Sequence, residues 1–296
     1  MSEYRVALAT SSAIRLLTED DQPLLGELWK LGIEAAPAVW DDPAVDWKKF
    51  DAVVLRSVWD YHLSPAAFFA WLDRLERLGV RLWNPVPVVR ANADKSYLKA
   101  LEAAGAAIVP TLWVEPGRGA RLEELLASRG WDQAVVKPVV SAGAYLTRRV
   151  KRGDPDGQAA LDAALAHSGA MVQPFLPEIV SEGEWSFIFL GGEFSHAVLK
   201  TPRSGDFRVQ EDHGGRTERR EPPKALLAQA REAVIAGPRP CLYARVDGVR
   251  RGGELLVVEL ELIEPALYLS HEPGAARKFA AAIKARLSSP KPAPKP

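Results

Sequence analysis

Residues 255–269 read LLVVELELIEPALYL, and the reading of that stretch decides how the rest of the chain is understood. In an extended strand alternate side chains share a face, so Glu259 and Glu261 point the same way, roughly 7 Å apart. Hard divalent cations take oxygen ligands and are commonly held by one or two carboxylates plus substrate phosphates, which suits such a pair. An amphipathic edge strand is the competing reading: Val258, Leu260 and Leu262 inward, both glutamates in water, as is common in antiparallel sheets. By the same alternation Glu264 faces away from Glu259 and Glu261, where a turn, a substrate loop or a metal are all open roles. The choice falls to the remaining sequence.

At 296 residues, 47% hydrophobic and 26% charged, the chain has ordinary globular composition and the length of two or three domains. Basic and acidic side chains balance at 38 each, so no bulk electrostatic pull draws it to nucleic acid or anionic membrane. Aromatic residues occur without a basic stripe, which argues against nucleic acid as a partner. The single cysteine, Cys241, excludes an intramolecular disulfide and speaks against a Cys-rich zinc site; it reads as a small buried residue at a strand start. The opening MSEYRVALAT lacks the apolar core of a signal peptide, and no segment is long enough to span a bilayer. A soluble, cytoplasmic protein is expected.

Tyr4 to Thr10 reads as a buried strand and Pro23 to Leu31 as a helix with Leu24, Leu25, Leu28 and Leu31 on one face, stopped by Gly32. Strands at Ile33 to Val39 and Ala52 to Leu55 complete a βαβ rhythm. Ser64 as N-cap and Pro65 at the first helical position open a helix with the stripe Phe68, Trp71, Leu72, Leu75 and Leu78, and Val80 to Trp83 follows as a strand. Residues 1–90 thus form an open α/β domain, which the chain is expected to leave through Asn84-Pro85-Val86-Pro87. Arg56, Ser57 and Asp60 sit where ligands gather in open α/β sheets, at the carboxyl end of a parallel strand, and are the substrate candidates. Trp59 and Tyr61 read equally well as anchors for the next helix.

Asp94 caps a helix running through Lys95, Leu98 and Leu101 to Gly105, which places Lys95 at the wrong end of the helix dipole unless an anion meets it. Ile108 to Val114 reads as extended. Trp131 to Val140 is a strand delivering Lys137, followed by the small-residue segment SAGAY and a returning strand from Tyr145 to Val150. Such a loop suits a phosphate held by backbone N–H groups and one ammonium; a hairpin with a snorkelling lysine fits as well. A helix from Gln158 to His167 and a strand from Met171 to Leu176 close residues 91–170 and open residues 171–287. There Glu184 to Leu190 and Glu193 to Leu199 form a hairpin about Gly191-Gly192, closed by Lys200. Residues 201–215, polar and glycine-rich, read as a lid loop. Pro223 to Ile235 is a helix, Cys241 to Val249 a strand, and Gly252-Gly253 the turn into the opening stretch. A helix from Ala275 to Leu287 precedes a Pro/Lys tail, 288–296, expected to be disordered. His196 lies within a strand and reads as a packed, structural histidine, whereas His213 in the lid stays open.

Neither a GxxxxGK[ST] P-loop nor a GxGxxG fingerprint is present. What is present, in order, is Asp94-Lys95, VVKP at 135–138, VQPFLP at 172–177, GEWS at 183–186, Lys200, GDFR at 205–208, RVD at 245–247 and ELELIEP at 259–265. This series resembles the ATP-grasp superfamily over about two thirds of the chain. The resemblance implies an N-terminal open α/β domain followed by two α+β subdomains that clasp ATP. It implies phosphate contacts from Lys95 and Lys137, a covering loop of Ser141, Ala142, Gly143 and Ala144, adenine strapped by Gln173 with the backbone of Phe175 and Leu176, and ribose held by Glu184. Lys200, Arg208 and Arg245 would address the terminal phosphate or an acyl phosphate, and Asp247, Glu259 and Glu261 would hold Mg²⁺, with Mn²⁺ as a substitute. Glu261 stands where many relatives carry Asn, and the SAGA loop is shorter than many phosphate loops. The phrases RSVWDY, NADKSYL, QPFLPEIVSEGEWSFIF, GEFSHAVLK and GDFRVQEDHGG further resemble the bacterial branch containing the D-cycloserine-forming O-ureido-serine cyclo-ligase. That branch implies carboxylate activation by ATP as an acyl phosphate, attack by a nitrogen of a small amino-acid-like substrate, and a place in antibiotic biosynthesis. Two-substrate amide or dipeptide ligation and ATP binding without chemistry are the alternatives, and a monomer or homodimer is expected.

Overall fold

The run Val6 to Ala9 is buried on both faces, as a strand in the middle of a parallel sheet must be. It belongs to β1 (Tyr4–Thr10), followed by α1 (Gln22–Lys30), β2 (Ile33–Val39), β3 (Ala52–Ser57), α2 (Pro65–Arg77) and β4 (Arg81–Trp83). The four strands pair in parallel in the order β2-β1-β3-β4. In this computed structural model, which describes residues 3–117 and 119–289, the stripe Phe68, Trp71, Leu72 and Leu75 of α2 packs on Ala7, Ala9, Val53 and Leu55. Val6, Leu8 and Val54 on the opposite face join a second core with Leu24 and Leu28 of α1. Ser64 stands at the N-cap of α2 as expected, although its hydroxyl makes no capping bond.

The expected exit stretch Asn84-Pro85-Val86-Pro87 does not continue as a loop. Val86 to Asn92 forms α3 instead, with Pro87 in its first turn, where a missing N–H costs nothing. Asp94 accepts the N–H of Ser96 at 2.8 Å, and α4 (Tyr97–Ala103) begins after that turn, so Asp94 caps the turn rather than the helix. Next come β5 (Leu112–Val114), α5 (Leu122–Arg129), β6 (Gln133–Pro138), β7 (Arg148–Lys151), α6 (Gly157–His167) and β8 (Ala170–Pro174). These strands form an antiparallel sheet in the order β5-β8-β6-β7, with Leu126 of α5 and Leu161 of α6 in its core. The strand expected from Tyr145 begins only at Arg148. Gly143, Ala144 and Leu146 all have positive φ, which no strand accommodates.

The last sheet is antiparallel, in the order β11-β10-β9-β12-β13. It is built from β9 (Glu184–Leu190), β10 (Glu193–Thr201), β11 (Arg216–Arg219), β12 (Tyr243–Arg251) and β13 (Glu254–Glu261), together with α7 (Glu178–Ser181), α8 (Lys224–Ala236) and α9 (Ala275–Leu287). The short elements α5, α7 and β11 have no clear pattern in the sequence. Of the proline-rich tail only Ser288 and Ser289 are described, so its expected disorder lies outside the described residues.

One irregularity in β13 matters for the site. Asp247 pairs with Glu259 and Gly248 with Val257, leaving Val258 as the extra residue of a β-bulge. Leu255, Val257 and Leu260 enter the core under α8, while Leu256 and Val258 pack on the other side. Val258, expected inward with Leu260, therefore shares the side of Glu259. The strand ends at Glu261, and the segment after it is gripped by side chains from the first half of the chain. Asn92 donates to Leu260 O and accepts from Leu262 N, both at 2.8 Å, and the Tyr97 hydroxyl accepts from Leu260 N at 2.9 Å. Asn84 donates to Leu262 O at 2.7 Å and to Tyr243 O at 2.9 Å, and accepts from Leu242 N.

Removing the Asn84 side chain leaves three buried backbone groups without partners, at about 1 kcal/mol or more each. Asn84→Ala should thus lower stability by about 3 kcal/mol in urea unfolding, and a loss below about 0.5 kcal/mol would show the grip to be dispensable.

Candidate active site

Alternation along three neighbouring strands delivers the charged groups to one cavity of about 860 Å³. β9 supplies Glu184 and Ser186 on one face, β12 supplies Arg245 and Asp247, and β13 supplies Glu259 and Glu261. Cross-strand register sets Asp247 between Ser186 and Glu259, and Lys200 of β10 opposite Glu184. Lys137 enters from the end of β6 and Lys95 from the turn before α4.

Asp247 is the hub. Its oxygens accept from Arg245 Nε at 2.9 Å, Arg245 Nη2 at 2.8 Å and Ser186 Oγ at 2.5 Å, with Lys200 Nζ at 3.4 Å. Burial opposes its charge, but Arg245 and Lys200 outweigh that cost and hold the carboxyl low. Lys200 also pairs with Glu184 at 2.6 Å; burial works against its proton, and Asp247 and Glu184 together raise its pKa nonetheless. Glu261 is pushed up to about 7, by burial first, with Arg245 pulling back and Glu259 and Asp247 pushing further. Arg245 contacts Glu261 as well, donates to Ala266 O at 3.0 Å, and lies over the Tyr268 ring.

Lys95 finds the anion its helix position called for: Glu259 at 3.1 Å. It also donates to Ser141 O at 2.6 Å, tying down the small-residue loop. Ser141, Ala142, Gly143 and Ala144 all line the cavity, as do Gln173, Leu176 and Glu184. Lys137 is 8% exposed, burial lowers its pKa, and no hydrogen bond or ion pair from the described residues reaches its ammonium. Arg208 lines the cavity from the lid loop while forking onto Asp206 at 2.8 Å, a bond that holds Asp206 far below the usual carboxylate range. His213 also faces the cavity, whereas His196 is buried between Ser195 and Tyr268 O.

Several expected residues are placed elsewhere. Arg56 is buried in an ion pair with Asp21 at 2.9 Å and donates to Pro265 O; Ser57 bonds Thr10 at 2.8 Å; Asp60 accepts from Trp40 Nε1 at 2.9 Å. None of the three reaches the cavity. The turn after β3 presents Trp59, Tyr61 and His62 to it instead, because alternation ends with the strand and gives no guide through the turn. Phe175 does not line the cavity either: its ring lies against Arg149, centroid to guanidinium 3.6 Å, and its N–H is spent on Gln133 O. Ser186 and Tyr268 join the site beyond the expected set. Ser186 is readable as the same-face neighbour of Glu184, but Tyr268, in a left-handed turn, has no sequence signal. Glu264, expected to face away, lines the same cavity at 8% exposure, and burial together with Glu261 pushes its pKa well up.

No group of three or more carboxylate, histidine or cysteine side chains among the described residues stands close enough to cage a metal unaided. Asp247, expected among the metal ligands, has its oxygens taken by Arg245, Lys200 and Ser186. Glu259 and Glu261 keep side-chain exposures of 26% and 23% toward the cavity. An all-oxygen pair of this kind fits a hard cation whose remaining ligands are phosphates and water.

Residues 107–233 match the prokaryotic glutathione synthetase ATP-grasp domain, and residues 6–84 match the N-terminal domain of D-cycloserine synthetase DcsG. The cycloserine biosynthesis protein DcsG of Streptomyces lavendulae is 33% identical over 301 residues, 95% of this chain and 98% of that protein. A glutathione synthetase of Parasynechococcus marenigrum is 29% identical over 66% of this chain and 60% of its own length. The crystal structure of D-cycloserine synthetase DcsG superposes with a TM-score of 0.88 at 32% identity, covering 96% of this chain and 100% of that one. D-alanine–D-alanine ligase of Bacillus anthracis shares the fold, with a TM-score of 0.69 at 18% identity over 96% of this chain and 97% of its own. The chain is therefore an ATP-grasp ligase, an enzyme class that uses ATP and a divalent metal ion to form C–N bonds. Within that class it belongs to the DcsG family. Among the described residues no helix is long and apolar enough to cross a membrane.

The raised Glu261 carboxyl has a measurable consequence in the metal-free protein. Between an ordinary glutamate value and about 7 the folded state keeps a proton that the unfolded chain has released, so raising the pH through that window disfavours folding. For a side chain that keeps 23% exposure the effect is on the order of 1 kcal/mol. Glu261→Gln should lose less stability than the parent between about pH 5 and 7.5 in urea unfolding; equal losses would remove Glu261 as the source.

Proposed function

We propose that this enzyme activates the carboxylate of a small amino-acid-like substrate as an acyl phosphate and closes a C–N bond within the same molecule, as in the O-ureido-serine cyclo-ligase branch. The observation that carries this is Lys137, a buried ammonium without a partner among the described residues, set across one cavity from Glu259 and Glu261. A buried unpaired cation is costly, and a nucleotide phosphate offsets that cost. Lys95 joins Lys137 at the phosphates under the loop 141–144, and Gln173 and Leu176 border the base. Glu184, which lines the cavity beside its Lys200 contact, takes the ribose. Glu259 and Glu261 hold Mg²⁺, or Mn²⁺ in its place, which neutralises phosphate charge when bound.

The substrate carboxylate attacks the γ-phosphorus, the bond to the bridging oxygen breaks, and ADP leaves. Lys200, Arg245 and Arg208 meet the charge that spreads over the transferring group. Asp247 fixes Arg245 and Lys200 in position beforehand, so their reorganisation is not part of the barrier. A nitrogen then attacks the carbonyl carbon, inorganic phosphate departs with the C–O bonding pair, and the nitrogen loses its proton to phosphate or water. Working units of residues 1–90, 91–170 and 171–287 go with this reading, although β8 (Ala170–Pro174) of the middle sheet runs across the second boundary. A cytoplasmic monomer or homodimer fits the single buried cysteine and balanced charge.

ADP release should be screened over amino acids, ureido-amino acids and dipeptides, with hydroxylamine to trap the acyl phosphate. One amino-acid substrate alone should suffice; a strict need for a second amine would establish two-substrate ligation, and ATP binding without release a non-catalytic protein. Lys137→Ala and Glu259→Gln should each reduce ADP release by about a thousandfold with the circular dichroism spectrum unchanged. Turnover within about tenfold of the parent in either variant would reject the role assigned to that residue.

A further inference from the structure

Lys137 is matched at the same cavity by a buried acidic side chain, Glu264. Glu264 is 8% exposed and lines the cavity, yet no hydrogen bond or ion pair from the described residues reaches its carboxylate. Nor is the side chain carried by a loose segment that could swing it into water. The Glu264 carbonyl accepts from Trp59 Nε1 at 2.9 Å, the preceding Ile263 carbonyl from the Tyr243 hydroxyl at 2.8 Å, and the following Pro265 carbonyl from Arg56 at 3.0 Å. Lys95, foremost of the cations among its electrostatic neighbours, is already engaged by Glu259 and Ser141. Trp59 and Tyr61 line the cavity with it, Tyr61 at 4% exposure. A held carboxylate beside aromatic walls is a site for an organic ammonium, which gains both the ion pair and the ring faces.

We infer that Glu264 recognises the α-ammonium group of the substrate, with Trp59 and Tyr61 as the walls of that subsite. This rests on the ligase reading of the same cavity and adds to it the chemical class of group that the substrate must carry. Within one molecule the α-nitrogen could close only a three-membered ring on its own acyl carbon, so the reacting nitrogen is the substrate's other one and the α-ammonium is free to serve recognition by Glu264. The buried pair Arg56–Asp21 acquires a role as well: Arg56 positions the Glu264 segment through Pro265 and does not touch substrate.

The test uses the full-length enzyme, Mg²⁺-ATP and two probes: O-ureidoserine and its counterpart with hydrogen in place of the α-amino group. The parent enzyme should favour the amino-bearing probe in kcat/KM by on the order of 100-fold. Glu264→Gln, equal in size but uncharged, should shrink that preference below about tenfold, by losing activity on the amino-bearing probe alone. Its affinity for a non-hydrolysable ATP analogue should be unchanged, and Glu264→Asp should keep part of the preference. Equal losses on both probes, or no change on either, would overturn the assignment. Should the parent release ADP with neither probe, the ligase substrate reading fails. Equilibrium binding of the same probes then decides the ammonium subsite: a preference lost in Glu264→Gln upholds it, and an unchanged preference overturns it.

Discussion

Asp247 and the two cations it gathers are the interaction on which the site depends. A carboxylate buried at 3% exposure is tolerable only because Arg245 forks onto it and Lys200 and Ser186 complete its shell. The arrangement works in both directions. Asp247 fixes the positions of two positive charges, and those charges allow Glu184, Glu259 and Glu261 to stand close by without forcing the strands apart. Removing any charged member shifts the balance of charge in a low-dielectric cleft, so these residues act as a unit rather than as separate ligands.

The second constraint is mechanical. The segment beyond β13 carries three successive carbonyls, at Ile263, Glu264 and Pro265, each bonded to a side chain from elsewhere in the fold: Tyr243, Trp59 and Arg56. Asn84, Asn92 and Tyr97 hold the residues just before them. The N-terminal sheet thus contributes less to the lining of the cavity than to holding the segment that lines it. The division of labour is physical: a parallel sheet buried on both faces is rigid and places hydrogen-bond donors reliably, while the lid and the small-residue loop remain nearer to solvent.

How much of this is legible in the sequence varies with how local the signal is. The alternation of Glu259 and Glu261, the strand ending in Lys137 and the turn at Gly252-Gly253 are patterns within a few residues, and the structure holds them where those patterns put them. The misfit of Lys95 near its helix start is legible too, although the glutamate that resolves it, Glu259, lies in the last strand of the fold. Arg56 escapes such reasoning because a polar cluster after a strand carries no information on which member the turn points inward; that is set by packing of α2 and by Asp21, far away in sequence. Glu264 defies period-two reasoning because the period stops with β13, and the turn beyond it brings the side chain back to the cavity. Phe175 cannot strap the base with its N–H, which belongs to the Gln133 carbonyl, a pairing that only the sheet order reveals.

The bulge at Val258 divides β13 into two frames of alternation. Before it, Leu255 and Val257 follow the beat of the core beneath α8; after it, Leu260 continues that core on the opposite parity while Glu259 and Glu261 answer to the cavity. A single period-two pattern laid over the whole strand would slip by one residue at the bulge, matching a cavity-facing carboxylate to a core aliphatic. In this chain the extra residue is a phase marker: counted from it, Glu259 and Glu261 fall on the cavity side and Leu260 on the core side.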